Sequence, residues 1–330
     1  MNFKALVVRE IAENRFERRI EERSIEELPA GEVLIRVKYS SLNYKDALSA
    51  TGHKGVSRDY PHTPGIDASG IVVECDTGQF APEEEVIVTG YRLGMDTDGG
   101  FGQYIRVPAS WVVKRPQNLS LREAMIYGTA GFTAGQCLLN FEMVGIKPEM
   151  GEVLVTGATG GVGSLAVAIL AKAGYSVVAA TGKMDQQQFL LNLGAKEVIH
   201  REEINDTSGR PLLKARWAGV VDTVGGNYLS TAVNSTMPRG AVAACGLVDS
   251  DELKTTVYPF ILRGVKLLGI NSADCPMEKR IEIWHRLANE WKPAFLEEIA
   301  QECSLEQMDE KINMILEGKI RGRIVLRHRD

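Results

Sequence analysis

Residues 153–170, VLVTGATGGVGSLAVAIL, decide the fold of this chain. A strand-like apolar run ends at Thr156. Glycines follow at Gly157, Gly160 and Gly163, with Gly161 between them, and then comes an alanine- and leucine-bearing run of helical texture. Glycines so placed let a pyrophosphate approach the backbone, and the amides that open the next helix offer it positive partial charge. A glycine triplet alone also serves ordinary turns. The strand before it and the helix after it are the context that points to a dinucleotide.

The following run, VVAATGKMD (residues 177–185), chooses between coenzymes. Turns that bind NAD place a carboxylate roughly 20 residues beyond the glycines, where it accepts the ribose 2′-hydroxyl. Here the strand end reads Thr181, Gly182, Lys183. A hydroxyl, a bare amide and an ammonium suit a 2′-phosphate, and Arg201, ending the next strand, can face the same phosphate or the adenine. The expected cofactor is NADPH. Asp185 is the nearest acid, but it stands where a helix start favours a carboxylate. The alternative reading makes Lys183 and Arg201 plain solvated ends of strands.

Downstream, short apolar runs alternate with helical stretches. Strands are expected at 152–156, 176–180, 197–200, 219–222, 241–246 and 265–271. Helices are expected at Val162–Ala173 and Asp185–Leu193, with Gly174 and Gly194 at their ends. This alternation implies an α/β fold, a doubly wound parallel sheet with helices on both faces. Upstream, residues 1 to about 120 are strand-rich: GEVLIRVKYS puts Val33, Ile35, Val37 and Tyr39 on one face. Arg122–Phe141 has helical composition interrupted by glycines, and two late helix patterns, Lys279–Glu290 and Leu305–Glu317, precede a closing strand GRIVLR.

The bulk composition excludes several classes. A net charge of −5 and a pI near 5.7 favour neither nucleic acid nor an anionic membrane surface. The five cysteines are widely spread and lack the close spacing of a structural zinc site or a disulfide framework. The amino terminus carries charges every few residues, and no run approaches the roughly 20 apolar residues of a membrane span. A reducing cytoplasm is the expected compartment.

The stretches SSLNYKDALSATG, PGIDASGIV, GTAGFTA, VTGATGGVGS, VDTVGG, VAACGL and PFILRGVKLLGINS resemble the medium-chain dehydrogenase/reductase superfamily. Within it they are similar to the zinc-free quinone oxidoreductase branch and its acrylyl-CoA reductase subgroup. The resemblance covers essentially the whole chain. It implies a GroES-like β-barrel catalytic domain over 1–120, a Rossmann-type NADPH-binding domain over 121–269, and a carboxyl segment, 270–330, returning to the first. Substrate and nicotinamide would share a cleft between them, and a homodimer joined at sheet edges is the expected assembly. Zinc members place a Cys in the loop occupied here by LNYKD and Gly-His-Glu where this chain has Gly65-Ile66-Asp67. Those ligand types are missing here, and isolated His53 and His62 read as surface residues, so no metal is expected.

Without a Lewis acid to polarise an alcohol, the expectation moves to reducing an electron-poor substrate. The leading reading is hydride delivery to the β-carbon of a small α,β-unsaturated acyl-CoA, with charge developing on the thioester oxygen. Quinone reduction fits the same motifs, and a dinucleotide-binding protein without turnover is the reading from another class. Asn43 and Tyr44, both hydrogen-bond donors in a loop just after a strand, are the catalytic candidates. Asp46 and Asp67 read as loop-stabilising caps. By resemblance, Tyr44, residues Thr159, Gly160, Gly161 and Val162, Leu247, Ile261, Ser272 and Asn313 contact the cofactor; core packing is the alternative for Leu247 and Ile261. Lys54, Arg58, Arg92 and Arg263 are the basic groups available to coenzyme A.

Overall fold

The charged amino-terminal residues make a hairpin. In the computed structural model, which describes residues 1–329, β1 (Asn2–Ala12) and β2 (Arg15–Ser24) pair antiparallel as a two-stranded sheet. Then come β3 (Val33–Leu42), α1 (Tyr44–Ser49), β4 (Asp67–Cys75), β5 (Glu85–Thr89), β6 (Tyr104–Val107) and β7 (Val112–Lys114). Of the expected face of β3, Val33, Ile35 and Val37 are buried with Val72, Val86 and Ile105, whereas Tyr39 is only half-buried and lies outside that cluster. Alternation of this kind is what lets one face of an antiparallel sheet pack while the other meets water.

The helical run after Pro116 is α2 (Leu121–Met143), and it is broken at Gly128, whose φ of 49° and ψ of −154° leave helical space. The break has a local cause. A Cβ at Gly128 would run into the Asp67 carboxylate and the Ser41 hydroxyl, so the chain passes them as bare backbone. The chain's two units divide beside this point: Met1–Thr129 belongs to one and Ala130–Ser272 to the other.

The second unit carries β8 (Glu152–Val155), α3 (Gly161–Lys172), β9 (Ser176–Thr181), α4 (Gln187–Asn192), β10 (Glu197–His200), β11 (Trp217–Asp222), α5 (Gly226–Ser235), β12 (Thr236–Ala244), α6 (Tyr258–Arg263) and β13 (Lys266–Gly269). All six strands are parallel, in the order β10-β9-β8-β11-β12-β13. In chain order that is 3-2-1-4-5-6, the doubly wound arrangement whose direction of winding reverses between β8 and β11. Leu154, Val178, Val220 and Val242 are fully buried in its core. Strands covered on both faces need such continuous apolar runs.

Residues Ala273–Ala288 and Glu297–Asp330 belong to the first unit again. They supply α7 (Met277–Ala288), β14 (Ala300–Cys303), α8 (Met308–Leu316) and β15 (Arg323–Arg327). β15 pairs antiparallel with β3, completing the seven-stranded sheet β14-β15-β3-β4-β5-β7, with β6 also on β3. α8 packs on α1 through Ala47, Ala50, Met308 and Ile312, which are buried with Leu42, Ile324 and Leu326. Burying a larger side chain such as Leu42, Met308 or Ile312 contributes about 1.5–3 kcal/mol relative to exposure.

Candidate functional site

In the second unit the glycine turn is shaped by close approach. Gly157 has φ +58°, and a Cβ there would collide with the Thr223 hydroxyl. A Cβ on Gly163 would be driven into the Gly157 carbonyl. The turn is closed by Gly160 N–H donating to Gly157 O at 3.0 Å, and Ala158 N–H to Ala180 O at 3.1 Å ties it to β9. Thr156 links two strand ends: its hydroxyl donates to buried Asp222 Oδ1 at 2.8 Å and accepts from the Thr223 amide at 2.9 Å. Gly160 caps α3 without a side chain. Gly161, Val162 and Gly163 thus open the helix with amides that have no partner one turn back. Gly163 is buried and Val162 half-buried.

The end of β9 lies beside this turn. Thr181 and Thr159 are both buried, their hydroxyls 3.2 Å apart, and Thr181 Oγ1 accepts the Lys183 amide at 3.0 Å. His200 of β10 pairs in register with Thr181, which brings Arg201 alongside. A Cβ added to Gly182 would lie 3.1 Å from Arg201 Cδ and Nε, so Gly182 leaves the guanidinium its room. Lys183 is half-buried; burial lowers its pKa, and Asp185 acts in the opposite direction. Arg201 pairs with Glu202 at 3.3 Å and stays 60% exposed. Thr159, Thr181, Gly182, Lys183 and Arg201 therefore form one cluster at adjacent strand ends.

Other expected contacts separate. Gly246 and Leu247 lie against the loop after β11: a Cβ on Gly225 would sit 3.1 Å from Leu247 Cα. Core packing does not hold for Leu247 or Ile261, which are 66% and 68% exposed. Both belong to segments whose backbone turns their side chains outward after β12 and on α6. Ser272 is half-buried just beyond β13. Asn313 lies on α8 in the first unit, exposed, accepting from Arg18 Nη2 at 2.9 Å. Arg263 is not available to coenzyme A, because it donates to the carbonyls of Leu213, Asn234 and Thr236. Arg92 pairs with Asp96, and Lys54 and Arg58 are exposed on the segment after α1.

In the first unit, Asn43 and Tyr44 begin α1 rather than a loop. Tyr44 is 40% exposed, and its hydroxyl has no hydrogen bond among the described residues. Asn43 points the other way. Its Nδ2 donates to Asp67 Oδ2 at 2.7 Å, to Asp46 Oδ2 at 3.2 Å and to Ser41 O at 3.3 Å. An amide with both hydrogens so engaged supports the loop instead of facing a ligand. Asp46 Oδ1 accepts the Ile66 amide and Oδ2 the Asn43 amide, each at 2.8 Å. Asp67 accepts from the Ser41 hydroxyl at 2.6 Å and from the amide and hydroxyl of Thr129 at 2.9 and 2.6 Å. Arg323 lies 3.8 Å from it, fully buried and donating to Ile126 O, Leu42 O and Ser41 Oγ.

Burial and the neighbouring Asp67 charge push the Asp46 carboxyl up to about 7, against the hydrogen bonds it accepts. Arg323 was invisible as a site residue in the sequence; the one signal was a cation inside the apolar strand GRIVLR. His62 is likewise no surface residue. It is buried, with Nε2 2.7 Å from Ser49 Oγ, and desolvation lowers its pKa to about 4, so it is neutral at pH 7.

Metal chemistry does not fit these residues. Asn43 turns an NH2 group, a donor, into the cluster, and Ile66 has no donor atom. Among the described residues no three His, Cys, Asp or Glu side chains are grouped to hold a metal ion. Two surface hollows of about 440 and 420 Å³ in the first unit are lined by other residues, mostly polar and charged, and contain none of the site residues named above.

Comparison with known proteins agrees with this geometry. The alcohol dehydrogenase GroES-like domain profile matches residues 29–117, and the zinc-binding dehydrogenase profile matches residues 161–289. The chain is 48% identical over 305 residues to YhfP of Bacillus subtilis, named for quinone oxidoreductase activity, covering 92% of both chains. It is 42% identical to the acrylyl-CoA reductase AcuI of Ruegeria pomeroyi, with 98% of both covered. Among solved structures, the YhdH oxidoreductase of Salmonella enterica in complex with NADP superposes with a TM-score of 0.96 at 40% identity over the full length of both. B. subtilis YhfP with NAD bound gives 0.97 at 45%, covering 99% of this chain and 100% of the other. Among the described residues, no helix is long and apolar enough to cross a membrane. The chain belongs to the medium-chain dehydrogenase/reductase superfamily, in the group of the quinone oxidoreductase and acrylyl-CoA reductase types, and is an oxidoreductase.

Proposed function

We propose that the protein is an NADPH-dependent, zinc-independent reductase of a small α,β-unsaturated acyl-CoA, of the acrylyl-CoA reductase type. The observation that carries the coenzyme assignment is the cluster at the ends of β9 and β10. Thr181, Lys183 and Arg201 offer a hydroxyl and two cations, and no carboxylate holds the position that would accept a 2′-hydroxyl. The turn fits the rest of a dinucleotide: Gly157 and Gly163 leave room no Cβ could share, and the α3 amides face a pyrophosphate. When bound, the nicotinamide supplies the hydride.

The chain's own residues then bind, orient and stabilise. Tyr44, with its hydroxyl uncommitted, contacts the cofactor and donates toward the substrate carbonyl oxygen, where charge develops. Asn43 acts behind it by holding the start of α1. Leu247 and Ile261, apolar and exposed, and Ser272 and Asn313 are further cofactor contacts. Lys54 and Arg58 are the cations left for coenzyme A phosphates. The substrate class is supported by AcuI of R. pomeroyi, matched over 98% of both chains.

Quinone reduction is the second reading, favoured by the 48% identity to YhfP, whose solved structure holds NAD. A homodimer is supported by β13, an edge strand, with Val257, Tyr258, Leu262 and Leu267 exposed on it and on the segment before it. The five cysteines are all free thiols, in keeping with a reducing cytoplasm. Steady-state rates with acryloyl-CoA and with a simple benzoquinone, each driven by NADPH and by NADH, test the proposal. It predicts the highest kcat/KM for acryloyl-CoA with NADPH; a higher value for the quinone, or equal values for the two coenzymes, overturns it.

A further inference from the structure

Asp46 occupies an unusual position: fully buried, in the first turn of α1, and surrounded by donors. Its two oxygens accept from the Asn43 amide at 2.8 Å, the Ile66 amide at 2.8 Å and the Asn43 side chain at 3.2 Å. The Ile66 bond fastens the segment that presents Tyr44 to the strand approach, and the two Asn43 bonds close the start of α1 on the same carboxylate. The charged groups facing Asp46 are Asp67 on β4 and Arg323 on β15. β3 and α2 give the Ser41 hydroxyl and the Thr129 amide to Asp67, and the apolar Met308 and Ile312 of α8 are buried with Ala47, the next residue of α1.

A proton on Asp46 finds no ready acceptor in this arrangement. Every neighbour within hydrogen-bond reach of its oxygens is itself a donor, so a carboxyl hydrogen there must displace one of them. A proton on Oδ2 displaces the longest bond, from Asn43 Nδ2 at 3.2 Å, and a proton on Oδ1 displaces the Ile66 amide. The Asn43 side-chain amide is also the one group standing between the two carboxylates, since it donates to Asp67 Oδ2 at 2.7 Å. Loss of its position on Asp46 therefore loosens Asn43, the residue that caps α1 immediately before Tyr44.

We infer that Asp46 is a positioning residue: as a carboxylate it clamps the Asn43–Tyr44 segment to Ile66, and on taking up a proton it releases the clamp. The group lies in the range where this matters, since its pKa is raised to about 7 by burial and by Asp67. The sign follows. Above the midpoint the carboxylate holds all three donors and the segment is fixed; below it the segment is loose. The consequence for turnover rests on the role proposed for Tyr44, but the clamp itself does not.

Hydrogen exchange with mass-spectrometric readout, on the whole protein without substrate, tests the clamp from pH 5.5 to 8.5 after correction for intrinsic exchange. The expected result is loss of protection at the Asn43 and Ile66 amides as pH falls, with a midpoint near 7. A central β4 amide such as Val72 serves as the reference and stays unchanged. In Asp46→Asn protection at both sites is low at every pH and the midpoint vanishes. Asn43→Ser is a second variant that leaves Asp46 in place; it removes a bond that holds the pKa down, so the midpoint moves up, by about half a pH unit or more. Wild-type protection without a midpoint, or a midpoint unchanged in both variants, overturns the inference. With the clamp present, kcat/KM for acryloyl-CoA falls on the acid side in wild type and lacks that limb in Asp46→Asn. A clamp seen in exchange with no activity on either substrate instead defeats the proposed function and leaves the inference standing.

Discussion

The glycine turn of the second unit and the start of α1 in the first are both sites of close packing, but they are built from opposite materials. The turn is backbone: Gly157, Gly160 and Gly163 approach one another because they lack side chains, and the groups it presents are amides whose charge does not change with pH. The start of α1 is side chain: Asn43, Asp46, Asp67 and Arg323 are buried together, and its geometry follows their charges. A backbone site breaks when atoms are added, and a buried-charge site breaks when a charge is removed or neutralised.

That contrast can be broken most severely at Asp67. Asp67→Ala strands the buried Arg323 without its carboxylate and the Ser41, Asn43 and Thr129 donors without an acceptor. Unfolding in urea should show a loss of about 3–5 kcal/mol, whereas a neutral replacement on the exposed side of the unit leaves stability within about 0.5 kcal/mol. Next comes Gly163→Ala, whose methyl group would meet the Gly157 carbonyl. NADPH affinity, followed by fluorescence titration, should fall about a hundredfold, in line with displacing the amides by a few tenths of an ångström and losing one charge-assisted bond of about 1.5–3 kcal/mol. An affinity unchanged by this substitution would mean that the turn does not hold the cofactor.

Lys183→Ala is the finer version of the same cut. It should weaken NADPH by about tenfold to a hundredfold and leave NADH unaltered, because a single ammonium–phosphate bond is worth about 1.5–3 kcal/mol. The smallest effect separates global from local behaviour in the first unit. Asp46 has a folded pKa near 7, above an unfolded value of about 4. Between these the folded state keeps a proton that the unfolded chain has lost. Its contribution to stability therefore declines as pH rises from about 4 and levels off above about 7. Thermal unfolding in the pH 5 to 8 range should show this slope flattened in Asp46→Asn. Global stability and Asn43 protection thus move in opposite directions with pH, a pattern simple acid unfolding does not produce.

The difference in materials also explains what could be read from the amino-acid order. A backbone site is local. The elements β8, the turn and α3 occupy adjacent residues, and the parallel strands buried on both faces stand out as apolar runs, so the doubly wound sheet and the basic end of β9 were legible. Strand limits were less so: β12 begins at Thr236, five residues ahead of the apolar run at Ala241, because pairing with β11 resumes after an irregularity. α1 spans six residues, too few for a helical period, and was read as loop. The carboxylate cluster draws Ser41, Asn43, Asp46, Asp67, Thr129 and Arg323 from five separate segments, and no spacing announces it. His62 looked like a turn residue because its burial comes from Ser49 and the surrounding loop.

Arg323 has a bearing on how the protein is made. Its guanidinium reaches Leu42 and Ile126, partners 281 and 197 positions earlier in the chain, and β15 is the strand that lies against β3. The ribosome therefore delivers the entire parallel sheet before the residues that finish the older β-rich unit have left its tunnel. Until then Asp67 waits with no guanidinium beside it, and a nascent chain stalled short of Arg323 would offer quality-control proteases a completed nucleotide-fold unit attached to an unfinished one.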